Sequence, residues 1–470
     1  MRRSTTLQKR RRASLSCMAV FALGAAMITT GRTGESVIDP GIPPMPVAPL
    51  SNSSGEFHTI STAGIIDTSN PFFQVLGTNG RRCVTCHQPD SGWTVTPANI
   101  QRRFAATDGM DPIFRTNDGS NCDTTDVSTR EARQEAYSLL LSKGLIRIEL
   151  PVPADVEFAV TAVDSPYGCS GTAKVSVYRR ILPSTNVSFL STVMWDGRET
   201  FPGQSLEANL MHQALDATMG HAQGAAPTED QQRRIARFQM ALYTAQTRDE
   251  DAGALQADGA RGGTANLTGQ EFFIGINDPL GLNPTGAAFR PEVFDLYSQW
   301  ERAASFPSRE LFVARQRVAH GERLFNNRPI AIKGVAGLND KLGQPTIMGF
   351  CGTCHDSPNV GNHSVPAPLN IGLADATRRT PDLPLFTLDN KSTHEIVQTS
   401  DPGRALITGK WADVGKFKGP ILRDLAARAP YFHNGSAATL ADVVNFYDTR
   451  FELHLTVQEK EDLVAFLRTL

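Results

Sequence analysis

Two five-residue segments, Cys83-Val84-Thr85-Cys86-His87 and Cys351-Gly352-Thr353-Cys354-His355, constrain this chain more than anything else in it. Cys-x-x-Cys-His is the attachment signature of a c-type haem. Thioether bonds tie the porphyrin to the two cysteines, and the histidine that follows lies under the iron as proximal ligand. A single Cys-x-x-Cys pair could equally hold zinc or perform thiol–disulfide chemistry. Two copies, each closed by histidine, point instead to two covalently bound haems c. Cys83, Cys86, Cys351 and Cys354 are then the attachment residues, and His87 and His355 the iron ligands. Together they take four of the seven cysteines.

With 470 residues the chain is long enough for two or three domains, and 40% hydrophobic residues suffice for globular cores. A net charge of −2 gives no basic footprint for nucleic acid. At the N-terminus, Arg2, Arg3, Lys9, Arg10, Arg11 and Arg12 precede a short apolar run from Ala13 to Ile28, followed by Gly31. Residues 1–31 therefore read as an export signal, and residues 32–55, rich in proline, as an extended linker without folding content of its own. No later segment is apolar enough to span a bilayer, so no integral span is expected after cleavage. Export agrees with haem c attachment, which takes place outside the cytoplasm, and places the protein in the periplasm. In an oxidising compartment Cys122 and Cys169 can form a disulfide, the alternative being two free buried thiols.

Beyond the linker, an apolar segment leads into each haem motif: Asn70 to Leu76 before the first, His320 to Phe325 before the second. The expected fold is mainly α, with two cytochrome c-like haem domains in tandem (56–310 and 311–470), extended loops and little β structure. Helices are expected over Glu229–Thr247, Pro291–Ala304 and Glu459–Leu470, the last opened by the capping box Thr456-Val457-Gln458-Glu459. A short strand is expected over Lys174–Tyr178 and a surface loop over Gly253–Gly269.

Further segments carry a resemblance. Met194-Trp195-Asp196-Gly197-Arg198 is one. A C-terminal block is the other, running from Gly415-Lys416-Phe417-Lys418-Gly419-Pro420 through Leu422-Arg423 and Ala429-Pro430-Tyr431-Phe432-His433-Asn434-Gly435 to Ala438-Thr439-Leu440. With the two haem motifs, their order and spacing resemble the bacterial di-haem cytochrome c peroxidase and MauG superfamily. The resemblance covers most of residues 60–470 and is weak over about 95–175 and 225–310. It implies that the His355 haem takes in electrons and the His87 haem meets hydrogen peroxide. Trp195 would assist transfer between them, and Arg198 would hold a haem propionate or cap a helix. The donor would be a small cytochrome c or a cupredoxin; many relatives are dimers, which makes a homodimer one option and leaves the oligomeric state open.

Departures from the peroxidase pattern sharpen these expectations. No methionine follows His355, and the position of the second haem's sixth ligand falls on Tyr447, as in MauG-type members; His394, His454 and His363 are the rivals. No histidine lies between His87 and His212, so the inhibitory ligand that many relatives keep there is missing and the first haem is expected to be open. Where the family places a distal glutamate, the run Met219-Gly220-His221 offers His221 as acid–base group, with Asp216 and Glu199 behind it. The resemblance allows calcium between the haems without requiring it. Arg428 and Pro430 match the carbonyl positions, but Arg180 stands at the asparagine position, with Asn186 nearby. Three functions remain in view: a peroxidase, a MauG-like oxidase or oxygenase acting on an organic or protein substrate, and a di-haem electron carrier.

Overall fold

A computed structural model describes residues 48–303 and 306–470. The expected export signal (1–31) and most of the linker lie outside the described residues. The end of the linker does have structure: Leu50–Asn52 is a strand paired antiparallel with Gly55–Ser61.

The expectation of a mainly α protein with little β is corrected by the structure: the described residues are 33% helix and 17% strand, with four sheets among them. Each sheet is closed by antiparallel pairing between segments that show little periodicity alone. Gly55–Ser61 pairs with Leu242–Asp249, Leu145–Pro151 with Lys174–Arg180, Phe158–Asp164 with Leu385–Asn390, and Ile330–Lys333 with Thr346–Gly349. The expected strand at Lys174 is present and runs on to Arg180, with Val175 and Val177 fully buried. Cys122 and Cys169 are disulfide-bonded.

Two expected helices are cut short for identifiable reasons. The helix opened by the Thr228/Gln231 capping box ends at Ala241, because Leu242–Asp249 is recruited into the four-stranded sheet. Asn186 fixes that switch, accepting from Thr244 N–H at 3.0 Å and donating to its carbonyl at 2.8 Å. Among the described residues of the Pro291–Ala304 stretch, 291–303, only Ser298–Arg302 is helical. Asn326 Oδ1 accepts from the N–H groups of Val293 and Phe294, and the buried Glu322 carboxylate from those of Leu296 and Tyr297. Those donors are satisfied without helix, so the segment stays extended. Gly253–Gly269, expected as a loop, contains a short strand at Gly253–Ala254 and a helix over Gly263–Thr268.

The frame of the second haem motif is a helix pair. Arg309–Asn327 packs on Val457–Leu467, whose Thr456/Glu459 capping box forms as expected. A Cβ at Gly321 would lie 2.0 Å from the carbonyl oxygen of Asp462, so the crossing needs glycine there. The pair buries Phe294, Phe325 and Phe466 edge to face and brings Phe325 within 6.1 Å, centroid to centroid, of the His355 ring. Among the described residues no helix is long and apolar enough to cross a membrane.

Candidate haem and redox site

The two haem motifs fold alike. In each, the threonine accepts a hydrogen bond at its Oγ1 from the backbone N–H just before the first cysteine: Arg82 to Thr85 at 2.9 Å, Phe350 to Thr353 at 3.0 Å. The histidine N–H then closes the turn onto the first cysteine, His87 to Cys83 at 3.0 Å and His355 to Cys351 at 3.1 Å. None of these four cysteines is taken by a disulfide. An aromatic ring flanks each histidine, Phe72 at 6.0 Å from His87 and Phe325 at 6.1 Å from His355.

Each imidazole is also set in one tautomer. His87 Nδ1 lies 3.1 Å from the Trp93 carbonyl and His355 Nδ1 3.0 Å from that of Gly361. A carbonyl can only accept, so Nδ1 carries the proton and Nε2 the lone pair, as an iron ligand requires. Burial lowers both histidines to about 4, partly offset by those carbonyl bonds, so both are neutral at neutral pH.

An apolar cavity opens beside the second motif, lined by Cys351, Cys354, His355 and Tyr447. It extends past Phe417, Lys418 and His433 to Trp195 and on to Thr94, the neighbour of the residue that tethers His87. This is the environment a porphyrin needs: apolar walls, two thiols, and an imidazole lone pair. The cavity also holds polar groups suited to a carboxylate-bearing cofactor. His433 is 1% exposed with neither ring nitrogen hydrogen-bonded. Lys418 is buried, and burial, aided by Arg428, lowers its ammonium to about 7. The residues therefore fit haem c.

Tyr447 lies on the helix Leu440–Phe451, its ring 6.5 Å from that of His355. Its rivals are elsewhere. His394 and His454 are exposed, and His363 is buried against Asp356 at 2.6 Å. Trp195 is 8% exposed on the cavity wall, its Nε1 donating to the Arg180 carbonyl at 2.8 Å. Arg198 does not reach the cavity; it pairs with Asp196 at 3.2 Å.

His221 caps the helix Leu206–Gly220, and its loop is stitched to the segment entering Cys83. Asn79 donates to the His221 carbonyl at 2.8 Å and Thr78 to that of Ala222 at 3.1 Å. His221 Nδ1 is hydrogen-bonded to Asp118, which also pairs with Arg81, two residues before Cys83. Burial raises the Asp118 carboxyl, but Arg81 and His221 outweigh it and the net shift is downward. Asp118 thus stays ionised. Its partnership with His221 spans 103 residues and left no signal in the sequence. The other acid–base candidates gather separately, Glu199 at 2.7 Å and Asp216 at 4.0 Å from His212.

The residues expected to bear on calcium do not fit it. The Arg180 guanidinium fills that place, donating to the carbonyls of Lys143 at 2.9 Å, Val95 at 2.8 Å and Arg428 at 3.1 Å. Burial, reinforced by Arg428, lowers Arg180 to about 9, still cationic at neutral pH. Asn186 is committed to Thr244.

The fold and site define a chain with two Cys-x-x-Cys-His motifs of like local structure, the second opening on an apolar cavity that reaches Trp195 and Thr94. Comparison with known proteins agrees. The chain is 32% identical over 158 residues to cytochrome-c peroxidase IdrP1 of Pseudomonas sp. (strain SCT), covering 29% of this chain and 39% of that protein. It is 29% identical over 151 residues to cytochrome c551 peroxidase of Nitrosomonas europaea, covering 29% of this chain and 37% of that one. The matches thus span well under half the length of these relatives. A solved MauG-like protein associated with microbial copper homeostasis aligns at 20% identity over 62% of this chain and 73% of that one, with a TM-score of 0.32. That structural likeness is too loose to carry weight. No protein-family model matches the chain. The sequence similarity is thus to cytochrome-c peroxidases, over under a third of this chain.

Proposed function

We propose that the protein is a periplasmic di-haem c-type cytochrome peroxidase that reduces hydrogen peroxide to water with electrons from a small cytochrome c or cupredoxin. The observation that carries this is Trp195, lodged on a cavity that joins the His355 site to the neighbourhood of His87. The sequence matches to cytochrome-c peroxidases point the same way. The disulfide between Cys122 and Cys169 favours an oxidising compartment. The working division remains two haem modules, 56–310 and 311–470.

Haem, when bound, supplies the redox chemistry. The protein's own residues handle position and protons. His87 and His355 present fixed lone pairs. His221, its Nδ1 proton held by Asp118, keeps Nε2 free to take a proton from one peroxide oxygen and return it to the other. Ionised Asp118 stabilises the imidazolium that forms in between. Trp195, held through Nε1 by Arg180, keeps an aromatic ring on the path between the modules. Lys418 and His433 would hold the cofactor's carboxylates. The overall balance is one peroxide, two electrons and two protons to two waters. The assay is anaerobic oxidation of a reduced small cytochrome c by peroxide. Two donors oxidised per peroxide support the reading; no donor oxidation rejects it.

Tyr447 favours a second reading, a MauG-like oxidase or oxygenase. An anionic oxygen ligand favours ferric iron, which suits sharing of oxidising equivalents between haems over simple electron intake. Peroxide-dependent modification of an organic or protein substrate, without donor turnover, would select it. The remaining reading, a plain electron carrier, requires both haems to ignore peroxide.

A further inference from the structure

Immediately after the second haem histidine, Asp356 begins a buried polar cluster that neither haem site uses. Asp356 Oδ2 lies 2.6 Å from His363 Nδ1, and its Oδ1 accepts from Ser364 N–H at 2.7 Å. Asp278 enters from a distant segment of the chain, and one ligand atom from each of Asp278, Asp356 and His363 lies within 4.8 Å of the others. Their exposures are 2%, 0% and 3%. Among the described residues, this is the fully buried member of three such clusters.

Two independent features point to a missing partner. The first is the donor set: the Asp356 carboxylate is paired with the His363 imidazole at 2.6 Å, two metal-ligating side chains closed away from solvent. The second is unmet hydrogen-bonding capacity. His363 Nε2 and Asp278 Oδ1 have no partner, and neither do the buried hydroxyls of Ser357 and Ser364. Three buried ligand-type side chains from two segments thus converge, and His363 Nε2 and Asp278 Oδ1 among them have no hydrogen-bond partner.

We propose that Asp278, Asp356 and His363 form a divalent-cation site of the zinc class, separate from both haem irons. An imidazole that donates Nδ1–H to a carboxylate while presenting Nε2 is the arrangement that orients histidine on a metal. Mixed imidazole and carboxylate donors suit Zn²⁺ better than calcium or magnesium, which take oxygen ligands. Asp278 supplies the carboxylate ligand, Asp356 orients His363 or shares the ion, and water or a serine hydroxyl completes the shell. The ion would brace the loop behind His355. The same two segments are already joined there by Gly275 N–H to the Ser364 carbonyl at 2.9 Å and Asn277 Nδ2 to the Asp356 carbonyl at 3.1 Å.

The test is elemental analysis of the intact haem-loaded protein, with metal counted beyond haem iron, after incubation with Zn²⁺ and desalting. About one zinc per chain is expected, falling about tenfold or more in Asp278→Asn at unchanged haem content. Because that variant could misfold, zinc-edge anomalous diffraction from the unaltered protein provides an independent arm and should place a peak between Asp278 and His363. Zinc below about a tenth of an equivalent, or only a bound water at that position, would overturn the proposal.

Discussion

Tyr447 faces His355 across the cavity, the two rings 6.5 Å apart and at 71° to one another. Burial raises the phenol well above its ordinary value. Coordination to iron would displace the phenol proton. Tyr447→Phe should keep both haems attached, remove the six-coordinate ferric signature of the second haem and raise its potential. An unchanged absorption and resonance spectrum would remove Tyr447 from the iron.

His221 and Asp118 should act as a pair. His221→Ala should slow peroxide turnover by about 10²-fold or more at unchanged haem content. Asp118→Asn should also slow it, by losing the charge that holds the imidazole. Turnover equal to the parent in His221→Ala would dismiss the role.

Arg180 should make the protein indifferent to calcium. Its guanidinium already occupies the carbonyls of Lys143, Val95 and Arg428. Chelator should leave turnover and haem spectra unchanged, whereas Arg180→Asn should show a calcium requirement or lose interhaem electron transfer. Inactivation of the parent by chelator, restored by calcium, would contradict this.

Arg179 predicts an acid limit. It is fully buried, bidentate to Asp401 at 2.7 and 2.9 Å, and paired with Asp196. Burial raises Asp196, but Arg179 and Arg198 outweigh it and bring the carboxyl to about 2. A depressed folded-state value means the stabilisation is complete above the ordinary carboxylate range and is lost as pH falls toward about 2. Circular dichroism should show stability dropping from pH ~4 to ~2 in the parent. In Asp196→Asn it should be lower by ~3 kcal/mol at neutral pH, with a flatter acid limb. Parent-like stability of that variant at neutral pH would refute the role.

The haem residues were legible because their chemistry demands fixed spacing: two cysteines and a histidine within five positions define a site before any fold is known. Tyr447 and Trp195 were legible through resemblance, and the cavity gathers both. The sheets were not. Phe158–Asp164 finds its partner in Leu385–Asn390, and such pairing leaves no local period to read. The same holds for Asp118 beside His221 and for Arg180 among its carbonyls. His433 lay in a quoted motif, yet its role beside Trp195, at 6.3 Å between ring centroids, emerges only in three dimensions.

The central claim is that the His87 haem is the open, peroxide-reactive centre and the His355 haem its tyrosine-ligated partner. Electron paramagnetic resonance of the fully oxidised protein, before and after one equivalent of peroxide, tests it most directly. The account predicts one high-spin and one low-spin ferric signal, both diminished by peroxide. Two low-spin bis-histidine signals, or spectra that peroxide leaves untouched, would contradict it.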